Sequence, residues 1–207
     1  ELWRVLETHF WDPEHALYKN ETNEDFSVTS DYRGQNANMH LCEALIVTYE
    51  ATGHRHYLDR AQTLAFNICE RQTKLTGGLV WEHYDSNWRP DYDFNRNNPK
   101  DLFRPWGFQP GHQTEWAKLL LILYEYTHEP WMLARAQSLF AAVLPLAWDD
   151  THGGIYYSIA PDGHICDTDK YFWVQAETIA AAAKLAIATK NNDYWEWYDR
   201  LWEYAWH

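Results

Sequence analysis

The sequence predicts an all-α fold of stacked helical hairpins. Three observations predict it: apolar residues recurring at helical spacing through seven stretches, an internal repeat, and long connections that separate the helices in pairs.

The apolar period places helices over about 2–10, 36–51, 55–73, 110–127, 130–147, 171–188 and 192–206. Asn36, Pro130 and Asn192 stand near three of the starts, where helix entry favours an amide cap or a proline in the first turn. The connections 11–35, 74–109 and 148–170 are long for a folded domain, and long ordered loops commonly carry function. Within them Leu79-Val80-Trp81 and Ile155-Tyr156-Tyr157 alternate as short strands do, which predicts small hairpins at those positions.

The repeat is the strongest organisational signal. Tyr49-Glu50, Thr52, Leu58, Arg60-Ala61-Gln62 and Leu64 recur 75 residues later as Tyr124-Glu125, Thr127, Leu133, Arg135-Ala136-Gln137 and Leu139. A further offset of 62 sets Thr189 opposite Thr127 and Leu201 opposite Leu139. The loops repeat as well, Gly77-Gly78-Leu79 against Gly153-Gly154-Ile155. The unit is therefore helix, short turn, helix, long loop, which stacks into an open solenoid or a closed ring. The first helix of each pair is poor in charge: Ala176 to Ala188 holds one Lys and one Glu. It belongs on an inner wall, and the more charged second helix belongs against water. The same offsets make His40, Glu115 and Glu177 equivalent, each in the first turns of an inner helix.

Composition narrows the partners. With 17 basic and 30 acidic residues the net charge is −13, which disfavours nucleic acid and an anionic membrane surface. No apolar run is long enough to span a bilayer. Cys42, Cys69 and Cys166 are far apart and in no CxxC spacing, so they imply neither a disulfide framework nor zinc, and a reducing cytoplasm is expected. The 13 Trp and 14 Tyr are suited both to filling a core and to stacking on sugar rings.

Three segments carry candidate chemistry. In Arg104-Pro105-Trp106-Gly107-Phe108-Gln109-Pro110-Gly111-His112-Gln113-Thr114-Glu115-Trp116, Pro110 and Gly111 turn the chain into a helix. His112 then stands three residues before Glu115, on one face. An imidazole beside a carboxylate suits proton transfer near neutral pH. In Arg33-Gly34-Gln35-Asn36-Ala37-Asn38-Met39-His40, Asn36 and His40 share a helical face and can hold hydroxyl groups. In Lys170-Tyr171-Phe172-Trp173-Val174-Gln175-Ala176-Glu177, aromatic residues lead into an inner helix bearing Gln and Glu. HExxH, GxSxG and a glycine-rich phosphate loop are all absent.

These segments resemble the N-acylglucosamine 2-epimerase superfamily, over nearly the whole chain. The resemblance implies an (α/α)6 barrel or toroid. Residues 1–207 would be a single domain supplying about seven of its twelve helices and lacking segments on both sides. It also implies cofactor-free, metal-independent chemistry at C1 and C2 of a small-molecule sugar, with a histidine removing the C2 proton. His112 matches the first catalytic histidine and Glu115 its supporting acid. His40 matches a substrate-contacting histidine that assists proton transfer. Asn36, Arg33, Arg104, Trp173 and Glu177 match substrate-binding positions, with Phe172-Trp173 where the family usually has two tryptophans. The family's second catalytic histidine and a key arginine are expected outside this stretch. The runs Glu115-Trp116-Ala117-Lys118-Leu119-Leu120 and Asn36-Ala37-Asn38-Met39-His40 look most like the mannose isomerase branch. A 2-epimerase is the alternative. Further off stand an (α/α)6 glycoside hydrolase, which needs two carboxylates about 5–10 Å apart, and a sugar-binding repeat protein without catalysis.

Overall fold

The computed structural model describes residues 1–207. It is predominantly helical, with six strands of only two or three residues, and no helix is long and apolar enough to cross a membrane. The chain forms two compact units, Glu1–Phe94 and Asn95–His207.

In the first unit, α1 (Leu2–Val5) runs on as a wider turn through Phe10. A hairpin follows, β1 (Trp11–Asp12) against β2 (Leu17–Tyr18). Strand β3 (Arg33–Gly34) leads directly into α2 (Gln35–Thr52), which turns at Gly53 into α3 (Arg55–Phe66). The helical path continues past α3 as a wide turn over Asn67–Arg71 and a tight one over Gln72–Leu75. Strand β4 (His83–Tyr84) then returns to pair antiparallel with β3. Met39 and Cys42 of α2 and Leu58 and Leu64 of α3 are completely buried together with Leu17 and Ile68. Arg60 ties the N-terminal segment to this pair. Its guanidinium donates two 2.7 Å bonds to the Glu7 carboxylate, a third to the Tyr18 hydroxyl, and lies 3.5 Å over the Trp11 ring. Burial, together with the carboxylate of Glu7, pushes the Tyr18 phenol above its ordinary range.

The second unit has α4 (Pro110–Thr127), α5 (Pro130–Ala147), the β5 (Ser158–Ile159) and β6 (Ile165–Asp167) hairpin, α6 (Phe172–Thr189) and α7 (Asp193–Trp206). Its core is built from Trp116, Leu119 and Leu120 of α4, Leu139 of α5, Leu185 of α6 and Leu201 of α7, all completely buried. Lys170 secures the loop before α6, donating to Asp149 at 2.6 Å and to the Gly153 carbonyl at 2.5 Å. The Lys170 ammonium holds the Asp149 carboxyl below the usual carboxylate range.

The repeat is realised residue for residue. Each of α2, α4 and α6 has 18 residues, and the offsets of 75 and 62 superpose their first and last residues without error. The repeated threonine explains the common end point. Thr52, Thr127 and Thr189 each donate a side-chain hydrogen bond to the carbonyl four residues back. Each also accepts from the backbone N–H two residues on. The following residue is left-handed in all three: Gly53 at φ 70°, His128 at φ 55° and Lys190 at φ 59°. A side chain with a Cβ is strained there. Lys190→Gly is therefore expected to stabilise the protein by about 1 kcal/mol, read as a higher denaturation midpoint in urea with an unchanged slope.

Two expectations about local structure are corrected. The strands do not fall at Leu79-Val80-Trp81 or Ile155-Tyr156-Tyr157. They lie a few residues later, at His83–Tyr84 and Ser158–Ile159, with Ile155 making one isolated bridge to Trp148. Moreover β4 pairs with the segment that precedes α2, not with a neighbour across a turn, and two-residue strands leave no alternation to read. Asn36 does not cap its helix: Gly34 does, and Asn36 is the second residue inside.

Candidate active site

In the second unit, α4 and α6 lie side by side; the start of α4 carries His112 and Glu115, and the start of α6 carries Trp173 and Glu177. The entry to α4 is fixed from outside the helix, because Gln109 at its cap makes no side-chain capping bond. Phe108 and Ile159 exchange two backbone hydrogen bonds, at 2.7 and 2.9 Å. Gln109 adds a 3.2 Å bond to the Ser158 hydroxyl, which itself donates to the Trp106 carbonyl. Pro110 then opens the helix, its missing N–H costing nothing at that position.

Gly111 is required by proximity. A Cβ there would stand 2.6 Å from two carbons of the Trp173 ring and 2.9 Å from Val174. With hydrogen in that place, the Trp173 indole settles against the first turn of α4. Its ring centre is 5.2 Å from that of His112, tilted by 35°. His112 is half-buried and Glu115 is buried. One turn further, the Thr114 and Thr178 hydroxyls are 3.0 Å apart, which locks the helices in register. Lys118 reaches across to Glu177 at 2.6 Å. Both side chains of that pair are largely shielded, so the ion pair is a fixed part of the wall.

In the first unit the candidate residues gather at the start of α2. Arg33 is buried and its guanidinium donates to the carbonyls of Ser30 and Tyr32, shaping the loop that enters the helix. Asn36 and His40 are both exposed, one turn apart on the same face. The imidazole of His40 lies 3.9 Å from the carboxylate of Glu43. Arg104 is half-buried in the loop before α4. Its backbone N–H donates to Asp101 and its carbonyl accepts from Asn95.

Two partners escaped the sequence reading, each with a signal that could have found it. His40-Leu41-Cys42-Glu43 repeats the His-x-x-Glu spacing of His112-Gln113-Thr114-Glu115. Lys118 is the single cation in the 18 residues of α4, and a lone lysine on an otherwise apolar inner helix needs an anion opposite.

The arrangement offers an imidazole against an indole ring, a shielded carboxylate three residues on, and an ion pair further along the same two helices. Hairpins of inner and outer helices, with polar first turns and strands confined to the loops, are the (α/α)6 class of fold. The chain belongs to the N-acylglucosamine 2-epimerase (GlcNAc 2-epimerase) family, whose model matches residues 1–207. It is 55% identical to a D-mannose isomerase of Marinomonas mediterranea, over 98% of this chain and 52% of that protein. It is 34% identical to a D-mannose isomerase of Pseudomonas cannabina pv. alisalensis, over 99% of this chain and 51% of the relative. A crystal structure of D-mannose isomerase matches with a TM-score of 0.97 at 55% identity, covering 99% of this chain and 52% of that one. The chain thus spans about half the length of the relatives it matches.

Proposed function

We propose that the protein is an aldose–ketose isomerase that interconverts mannose, or a close relative, with the corresponding ketose. The observation that carries this reading is His112 standing against Trp173, with a buried carboxylate, Glu115, three residues on in the same helix. The 55% identity to a D-mannose isomerase supports it.

The chemistry follows from what these groups can do. The open-chain aldose lies with its apolar C–H face on the Trp173 indole. His112 takes the proton from C2 as a general base. The electron pair released forms the C1–C2 double bond, and the aldehyde oxygen becomes the enediolate oxygen. Return of a proton to C1, with loss of the C2 hydroxyl proton, gives the ketose. Glu115 orients the imidazole and favours its charged form at the moment it holds the proton. His40 assists proton movement between the oxygens. Asn36, Arg33, Arg104 and Glu177 hold the sugar hydroxyls or the loops around them, with Lys118 holding the Glu177 carboxylate in place. An epimerase would share the first step and return the proton to the other face of C2. The mannose isomerase relatives favour the ketose product. Three free cysteines, two of them buried, support a reducing cytoplasm as the working compartment.

The test is incubation of the full-length protein with mannose, fructose, glucose and cellobiose in deuterated water. The expected result is ketose from mannose, with deuterium at C2 of the recovered aldose. Epimer without ketose would favour the 2-epimerase. Cleavage of the glycosidic bond of cellobiose without exchange would replace both readings by a hydrolase.

A further inference from the structure

Each unit contains a buried amide that does the same thing at an equivalent place. In α2, the Asn38 side chain accepts from the Tyr18 backbone N–H at 2.8 Å and donates to the Tyr18 carbonyl at 2.9 Å. In α6, the Gln175 side chain accepts from the Ile155 N–H at 2.9 Å and donates to the Ile155 carbonyl at 3.0 Å. In both cases the partner lies 20 residues upstream, in the loop that precedes the helix. The repeat offsets make Asn38 and Gln175 equivalent positions. Both are essentially without solvent exposure, at 0% and 2%.

The geometry is specific to a primary amide. One side chain satisfies the donor and the acceptor of a single residue, as a paired strand would. Neither a carboxylate nor a hydroxyl does both in that plane. The same amides also reach the start of their helices, whose cap residues make no side-chain capping bonds: Asn38 donates to the Gly34 carbonyl and Gln175 to the Tyr171 carbonyl, each at 3.4 Å. What the bracket fixes is how the first turn sits against its own loop. That turn carries Asn36 and His40 in α2, and Trp173 and Glu177 in α6. Asn38 is two residues from each of the first pair, and Gln175 is two residues from each of the second.

We propose that Asn38 and Gln175 are positioning residues for sugar binding. Each clamps a loop residue by a two-bond amide bracket and so sets the substrate-facing side chains on either side of it. This rests on the isomerase reading above. A binding group displaced by even a fraction of an ångström loses its contacts with a small polar substrate, so the effect belongs in KM. Partial unfolding behaves differently, because it removes active molecules and lowers the apparent kcat with KM unchanged.

The experiment uses the full-length protein with mannose as the substrate, and wild-type turnover is measured first. Gln175→Met and Asn38→Leu keep the volume and lose both hydrogen bonds. Gln175→Glu and Asn38→Asp keep the acceptor alone, and serve where the apolar variants fail to fold. All are assayed below the onset of their own thermal unfolding by circular dichroism. The expected result is a KM raised at least tenfold by Gln175→Met and by Asn38→Leu, with intermediate values for the acidic variants. Asn38→Leu is also expected to lower kcat, because His40 stands beside it. Folded variants with wild-type KM overturn the positioning role and leave the isomerase reading intact. A wild-type protein inert towards mannose overturns that reading and the positioning role with it.

Discussion

His112→Ala is expected to lower isomerase turnover by at least about 10²-fold, the usual contribution of a positioned general base. KM for mannose should change little by comparison, because Trp173 and Glu177 remain. The fold should survive as well. The ring is half-buried and not part of the fully buried core. Steady-state kinetics with mannose, paired with a thermal melt, checks both halves of the expectation. Exchange of the C2 hydrogen with solvent should fall in proportion to turnover. Retained exchange with lost ketose formation would move the first proton transfer to another residue.

Gly107→Ala should produce the largest loss of stability among single-methyl additions to the loop that enters α4. Gly107 sits at φ 106°, a conformation that side-chain-bearing residues rarely adopt. The added Cβ would stand 2.3 Å from the Ser158 hydroxyl oxygen and 2.8 Å from the Ile159 carbonyl. The second contact is with backbone and cannot be relieved by a rotamer change. Strain of about 1–2 kcal/mol and overpacking of about 1–3 kcal/mol together predict a loss near 3 kcal/mol. Gly163→Ala is the matched control. It has φ 91° and nothing within 4 Å of the added atom, so it carries the strain without the collision. Urea denaturation of the two variants should separate these contributions. Because the displaced contact is the Phe108–Ile159 pairing that delivers the chain to His112, Gly107→Ala should also cost activity in the molecules that remain folded.

The helices were legible in the sequence because two independent signals agreed. The apolar period located every start to within one residue, and the repeat made the inner helices equivalent, while α1 and α3 end well before the stretches expected of them because the chain runs on as wider or tighter turns. The placement of the candidate residues was legible for a similar reason: His112 and Glu115, or Asn36 and His40, are held on one face by the helix itself. What could not be read was anything decided by partners distant in sequence. The inner helices begin where a strand pairing or an amide bracket delivers the chain, so capping preferences misplaced the start of α2. The Lys118–Glu177 ion pair joins residues 59 positions apart. The role of Gly111 emerges only when Trp173 is seen lying on it.

Three inner helices of one length, ended by one device, amount to interchangeable sockets. At the position of His112 the other two copies carry Ala37 and Val174, so the frame tolerates a small residue, a branched one or an imidazole at the same address. Reactivity in such an architecture is a matter of which socket is filled with what. A new substrate preference can then be installed by relettering one first turn while the other two keep their geometry.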